Sequence, residues 1–518
     1  MAQAAHAPGL IGRLADLLGP EGLITDAAEC AFYAQDVFAA GPAPLAVIRP
    51  ADKEVLAAAV ALATGEGVAI VPRGGGMSYT QGYVPDAPGA LIVDLGRMNR
   101  ILAIDEEDMT ATVEAGCTWE ALHRALKPRR LRARAWGTLS GIKASIGGGM
   151  SQNGIFWGAR DGTVANAALA FEVVLADGRI VSTGSDFFRP YGPDLTGLFA
   201  CDTGALGIKA TVTLQLVREG AAFAYGSYAF ADEGSFLRAM SAVAREGLTS
   251  ECFGFDPFLQ AQRMKRDSLA KDAGQLLNMM KAQGSAWKAL KEGAKVVAAG
   301  RSFLDDAGFS LHAVCEARHQ AAADADLAAI ADIAAAEGGR PVENSIPKVL
   351  RANPFPPVNS MVGPEGERWV PVHGFLPHSR LAEGWAAIQA LFAGRAEEME
   401  RLGVGAGAMF AAVSPSCCLI EPVFFWPDAL DELHRRSVEP AHLARLKGFA
   451  RNPEARRLVE ELREGVVDLF TRLGAAHLQI GRTYRLGEAH DPGAWALLKA
   501  VKQAVDPGGL MNPGSLGL

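Results

Sequence analysis

The sequence predicts an α+β protein in two main parts: a mixed strand and helix region over residues 1–218, then an antiparallel sheet backed by helices over 219–480, followed by a C-terminal segment, 481–518. Two textures carry that prediction. Up to about residue 218, short apolar runs alternate with turns and short amphipathic stretches; beyond 220, long alanine-rich helices separate isolated strands.

Taken in chain order, "DKEVLAAAVALATGEG" reads as a helix with Asp52 at its N-cap, and "GVAIVP" behind it as a short buried strand. "GALIVDL", "ILAIDEED" and "MTATVEAG" read as strands, and "TWEALHRALKPRR" as a short helix. In "FEVVLADGRIVSTG" the Asp177-Gly178 pair supplies a positive-φ turn between two strands, and "GIKATVTLQLV" closes the first part. The second part alternates the strands "FSLHAVCEA", "WVPVHGFLP" and "AAVSPSCCLIEPVFFW" with the helices "AAADADLAAIADIAAAEG" and "AEGWAAIQALFAGRAEEMERLG". Residues 262–299 read as a helical excursion with a solvated charged face. "AAHLQIGRTYRLG" then makes one more strand, "DPGAWALLKAVKQAV" a helix, and "DPGGLMNPGSLGL" has too much Gly and Pro for regular structure.

At 518 residues and 49% hydrophobic, the chain has ample material for a core. Its net charge of -8 supplies no attraction for nucleic acid or an anionic membrane. The start "MAQAAHAPGL" lacks the pattern of an export signal and no run is long enough to span a bilayer, so a cytoplasmic protein without an integral membrane segment is expected. Seven scattered cysteines, without CxxC or CxxCH, argue against iron-sulfur clusters, haem c and structural zinc, and no metal site is expected. Redox chemistry would therefore rest on an organic cofactor.

The chemistry-bearing features are three small-residue stretches. "VPRGGGMSYTQG", Val71 to Gly82, follows a strand, and its bare backbone with Arg73 suits a diphosphate, yet it matches neither GxxxxGK[ST] nor GxGxxG. "GTLSGIKASIGGGMSQNGIFWGARDG" lies about 65 residues further on, and "FACDTGALGIKATVTL" runs into a strand. In this order and spacing, with "LLGPEGLITD", "IRPADKEVLAAAVALA" and "DPGGLMNPGSLG", they resemble the FAD-binding domain shared by vanillyl-alcohol oxidase, para-cresol methylhydroxylase, glycolate oxidase and D-lactate dehydrogenase. The resemblance implies FAD as cofactor, a two-part FAD-binding domain of the para-cresol methylhydroxylase type followed by a substrate-binding cap domain, and a C-terminal segment that returns to the FAD domain.

It further implies roles for residues. The first stretch (Pro72, Arg73, Gly74, Gly75, Gly76, Met77, Ser78) would hold the diphosphate. The second (Thr138, Ser140, Gly147, Gly148, Ser151, Asn153, Gly158) would lie along the flavin and diphosphate. Gly204, Gly207 and Ile208 would lie near the adenine side, and Asn512 at a C-terminal flavin contact. Some relatives tether the flavin covalently to a histidine near "RWVPVHGFLPHS", which makes His373 a candidate for that bond, although a noncovalent cofactor is favoured.

Catalytic candidates come from two places. His373 and His378 flank a strand end, and "HLQIGRTYRLG" holds His477, Arg482, Tyr484 and Arg485. On a strand, Arg482 and Tyr484 would share a face and together bind an oxyanion. For the substrate, the HxGDGNxH and EHGIG patterns of the 2-hydroxy-acid branch are missing; "RTYR" and "NPGSLG" favour a para-substituted phenol or aryl alcohol. Against that branch, Ser151 and Gln152 stand where it places an acid near the flavin, and the first loop is more similar to that of the hydroxy-acid branch. A D-2-hydroxy-acid dehydrogenase and a non-catalytic flavin-binding subunit are the alternatives. Oxygen, a cytochrome or a quinone as electron acceptor, and a homodimer, all stay open.

Overall fold

The computed structural model describes residues 7–155, 159–264 and 308–518. Its first part holds two sheets. In the smaller, strands Ala46–Ile48, Leu91–Asp94 and Ile70–Arg73 run parallel, and Leu23–Ile24 joins its edge antiparallel. Helix Lys53–Gly65 covers this sheet through Leu56, Ala59, Val60 and Ala63, and Asp52 caps it by accepting from the Val55 N–H at 2.8 Å. The second sheet is antiparallel, in the order Ile101–Asp105, Thr110–Glu114, Ile208–Arg218, Ala168–Val174, Ile180–Ser182, with Leu131–Ala133 on the far end of the long strand. Its last hairpin turns at Gly178, whose φ is +82°.

Strand Ala222–Phe230 opens an eight-stranded antiparallel sheet. Its order is Arg340–Pro341, Ala222–Phe230, Phe309–Ala317, Glu251–Phe255, Gly405–Ser414, Cys417–Trp426, Arg368–Pro371, and Gly374–Pro377 pairs beside Arg368–Pro371 on the same neighbour. Helices Glu233–Glu246, Gln320–Ala336, Leu381–Ala393 and Pro453–Arg472 bury their apolar sides on one face. The period of two then sorts each strand. In Cys417–Trp426, Cys418, Ile420, Phe424 and Trp426 join the helix-covered core, while Leu419, Val423 and Phe425 join a second cluster with Phe253, Phe255, Leu259 and Met409. Glu421 falls on that second side. Buried charges pair across and within the parts: Arg132 of the second sheet donates to Glu316 of the third at 2.9 Å, and within the second part Arg351 donates to Glu251 at 2.9 Å. Exchanging one partner of such a pair strands the other charge, so these contacts fix register more than they add stability.

Three expectations differ from the structure. The segment at 475–486 is a run of turns, not a strand: Gln479 has φ 49° and Gly481 φ +54°, and a single bridge joins Ala476 to Phe375. The stretch "AEGWAAIQALFAGRAEEMERLG" is two helices, Leu381–Ala393 and Ala396–Leu402, interrupted at Gly394 and Arg395. "AAVSPSCCLIEPVFFW" is a hairpin turning at Pro415 and Ser416. Most of the 262–299 excursion lies outside the described residues.

Candidate active site

The three small-residue stretches meet. The chain leaves strand Ile70–Arg73 into loop 74–82, which packs so closely on the second stretch that a Cβ at Gly75 would overlap the Lys143 carbonyl and one at Gly74 the Ser145 hydroxyl. Gly204 of the third stretch, at φ +73°, packs against the Pro72 ring. The loop is braced from outside: Asp36 accepts from the Gln81 N–H at 2.6 Å and from the Phe38 and Ala39 N–H groups at 2.8 and 2.6 Å. Among the described residues the N–H groups of Gly74, Gly75, Gly76 and Met77 donate to nothing in the chain. Arg73 folds back over Gly76 into a cage of Tyr33, Phe32 and Tyr83, 4.8, 5.5 and 5.5 Å from the ring centroids, and makes no ion pair among the described residues. Free inward amides beside an unpaired, buried guanidinium form an anion cradle, and a diphosphate fits it.

One cavity runs from this cradle to the inner face of the eight-stranded sheet. Its far wall is built from Trp369, Met409, Glu421 and Phe425, with Leu259, Gln262 and Arg263 of helix Pro257–Met264. Tyr79 and Gln479 join the two walls: the Gln479 amide donates to the Tyr79 hydroxyl at 3.0 Å, and Ser78 donates to Gln479 Oε1 at 3.1 Å. The Tyr79 ring meets Trp369 edge-on at 5.7 Å. Burial pushes the Glu421 carboxyl up to about 8, only partly offset by the charge of Arg263. Arg263 lies over the Phe255 ring at 4.3 Å and makes no ion pair among the described residues.

Most of the expected FAD contacts line this cavity: Pro72, Arg73, Gly74, Gly75, Gly76, Met77 and Ser78 from the first stretch, Thr138, Ser140, Gly147, Gly148 and Ser151 from the second, Gly204, Gly207 and Ile208 from the third. Two do not. Asn153 ends helix Ile146–Gln152 in the left-handed region, with φ 53°, and stands outside the lining. Asn512 is a staple instead: its side-chain amide donates to the carbonyls of Gly82 and Thr203, both at 2.7 Å, tying the C-terminal segment to the first and third stretches. Gly158 lies outside the described residues.

The expected catalytic groups need more correction. Arg482 does not face the cavity; its guanidinium donates to the carbonyls of Gln81, Val84 and Pro513 at 2.5, 2.6 and 2.5 Å and to Asn512 Oδ1 at 3.2 Å. With both terminal nitrogens committed to these acceptors and Nε 3.8 Å from Asp86, it clamps loop 81–84. Arg482→Ala would leave those carbonyls unpaired, at roughly 1–3 kcal/mol for each buried group. The expected result is a lower melting temperature and weaker FAD retention, with substrate affinity per bound FAD unchanged; a melting curve and a flavin-to-protein ratio check it. Tyr484, His373 and His477 form a second layer behind Tyr79. The Tyr484 hydroxyl bonds the His373 ring at 3.0 Å and accepts from the His373 N–H at 2.8 Å, and the His477 ring stacks on Tyr484 at 4.1 Å. Burial holds His373 well below the ordinary histidine range and His477 down at about 4, so both are neutral at pH 7. None of the three lines the cavity. His378 is further off, bonded to Ser241 at 2.9 Å and donating to the Pro415 carbonyl at 3.0 Å. Arg485 pairs with Asp468.

Sequence reasoning missed Tyr79, Trp369, Gln479, Glu421 and Arg263. Tyr79 sits inside the quoted first loop. Glu421 is the lone acid in "CCLIEPVFFW", on the alternate positions shared by Leu419, Val423 and Phe425, and that break in the pattern was the available signal. Arg263 belongs to the segment read as a solvated face, yet it is in the cavity wall.

Residues 44–184 match the FAD binding domain family, and residues 449–516 match the C-terminal domain of FAD linked oxidases. Among curated proteins, glycolate oxidase subunit GlcD of Bacillus subtilis is 36% identical over 177 residues, which is 34% of this chain and 37% of that one. The D-2-hydroxyglutarate dehydrogenase of Stutzerimonas stutzeri is 31% identical over 217 residues, 41% of this chain and 46% of its own length. These matches thus span less than half of each relative. Among solved structures, p-cresol methylhydroxylase with substrate bound superposes with a TM-score of 0.73 at 18% identity, covering 99% of this chain and 96% of that one. Alkyldihydroxyacetonephosphate synthase gives 0.69 at 15% identity over 98% and 84%. The fold is therefore that of a para-cresol methylhydroxylase-type FAD-binding domain with a cap, and FAD is its cofactor. The chain carries an FAD binding domain over residues 44–184 and the C-terminal domain of FAD linked oxidases over 449–516.

Proposed function

We propose that the protein is an FAD-dependent oxidoreductase that takes hydride from a small hydroxylated aromatic substrate, a para-substituted phenol or an aryl alcohol. The observation that carries this reading is the far wall of the cavity, where Tyr79, Trp369, Met409 and Phe425 surround one carboxyl group, Glu421. An apolar pocket with a few converging polar groups is the common design of a small-molecule site.

Residues 72–78, 138–151 and 204–208 would hold FAD, which when bound supplies the hydride acceptor. The chain's own side chains do the rest. The rings of Tyr79, Trp369 and Phe425 hold the substrate ring and keep water out. The Tyr79 hydroxyl accepts from Gln479, so its own hydrogen is available to a substrate oxygen. Glu421 takes the substrate's hydroxyl proton, and a carboxyl near 8 is poised for general-base work close to neutral pH. These roles replace those expected of Arg482 and Tyr484.

A second reading, oxidation of a 2-hydroxy acid, is favoured by Arg263, a guanidinium in the same cavity without an ion pair among the described residues, and by the relatives named for glycolate and D-2-hydroxyglutarate. Mixing the holoenzyme without oxygen with 4-alkylphenols, aryl alcohols and D-2-hydroxy acids, while following the visible flavin band, tests the two. Bleaching by hydroxylated aromatics is expected. Bleaching by glycolate or lactate with no response to any aromatic contradicts the first reading.

A further inference from the structure

Two arginines line the one cavity, one from each part of the chain, and neither is ion-paired among the described residues. A buried cation without a counter-charge is costly, so each of the two asks for an anion. Arg73, in its aromatic cage beside free loop amides, answers to the FAD diphosphate. That leaves Arg263. It stands on the substrate side, on helix Pro257–Met264, over the Phe255 ring at 4.3 Å and alongside Gln262 and Leu259. Glu421 is the only carboxyl in the described lining, and it does not close on Arg263 as an ion pair. Burial also favours its neutral form, which leaves the guanidinium charge uncompensated.

We infer that Arg263 anchors a carboxylate on the substrate, so that the substrate is a hydroxylated aromatic acid in place of a neutral phenol. The inference rests on the proposed oxidation of hydroxylated aromatics and narrows it. A guanidinium can take a carboxylate through two parallel hydrogen bonds. The substrate ring then lies among Tyr79, Trp369 and Phe425, and its hydroxyl group faces Glu421. This single arrangement combines the aromatic wall of the first reading with the acid group of the second.

The test is a binding measurement on holoenzyme with two unreactive probes of nearly equal shape, benzoate and benzamide, read from the perturbation of the flavin spectrum. Benzoate is expected to bind at least about 10-fold more tightly than benzamide. Arg263→Gln is expected to remove about 10- to 100-fold of benzoate affinity and leave benzamide unchanged, and Arg263→Lys to restore part of the preference. Flavin content and melting temperature confirm that each variant is folded. Equal binding of the two probes by the unaltered protein, or a benzoate preference that survives in Arg263→Gln, overturns the inference. The anchor and the function fail separately. Bleaching by aryl alcohols without a benzoate preference sinks the anchor alone, whereas an Arg263-dependent benzoate preference in a protein that no hydroxylated aromatic bleaches keeps the anchor and sinks the function.

Discussion

Gly75→Ala is expected to yield a folded protein that has lost FAD. The added Cβ would overlap the Lys143 carbonyl and come within 2.8 Å of the Ala144 Cα, both main-chain atoms that cannot turn aside. The first loop must then separate from the second stretch, and the amides of Gly74 to Met77 leave the positions at which they converge with Arg73. Preorganised donors supply most of the affinity for a diphosphate, so displacing them should weaken FAD binding by about 100-fold or more, at 1.4 kcal/mol for each factor of ten. A flavin-to-protein ratio and reconstitution with added FAD read this directly. Gly65→Ala is the control: a Cβ there meets nothing within 4 Å, and FAD retention should be unchanged.

The second large effect is at Glu421. Replacing it by Gln keeps the shape and removes the proton acceptor, and losing a positioned general base slows reduction of the bound flavin by about 10²- to 10⁴-fold. The pH dependence should change with it. Because the folded carboxyl stays protonated up to about 8, the rate in the unaltered protein rises with pH through that region and then levels off, and Glu421→Gln flattens the rise. Stability should move the opposite way. Between its ordinary value of 4.5 and about 8 the folded state holds a proton that the unfolded state has released, so this group makes folding less favourable as pH rises through that window. Glu421→Gln is therefore expected to melt at a higher temperature than the unaltered protein at pH 8 while turning over far more slowly. Rapid-mixing traces and melting curves across pH 5 to 9 check both halves.

What was legible in the sequence and what was not follow from the range of the interactions involved. The Asp177-Gly178 hairpin, the Asp52 cap and the glycine stretches are local: the residues that need positive φ, a capping oxygen or bare backbone sit where the feature is, and a reading in windows finds them. The segment around Arg482 misleads such a reading. Its apolar and polar residues alternate as in a strand, but the chain turns at Gln479 and Gly481 to reach the first loop, and the Arg482 guanidinium donates to carbonyls about 400 residues earlier in the chain and to that of Pro513. No local pattern encodes that. Glu421 and Arg263 are ordinary residues by type. Burial in a wall assembled from two distant segments gives them their chemistry, and only the folded arrangement of helix Pro257–Met264 against strand Cys417–Trp426 brings them into one cavity.

The central claim is that three separated stretches form one cradle for FAD with His373 outside its lining. Denaturing the purified protein in acid and measuring flavin in the supernatant tests it most directly. One FAD per chain released into the supernatant is the predicted result; a colourless protein that takes up no added FAD, or flavin that stays with the precipitated chain, would contradict it.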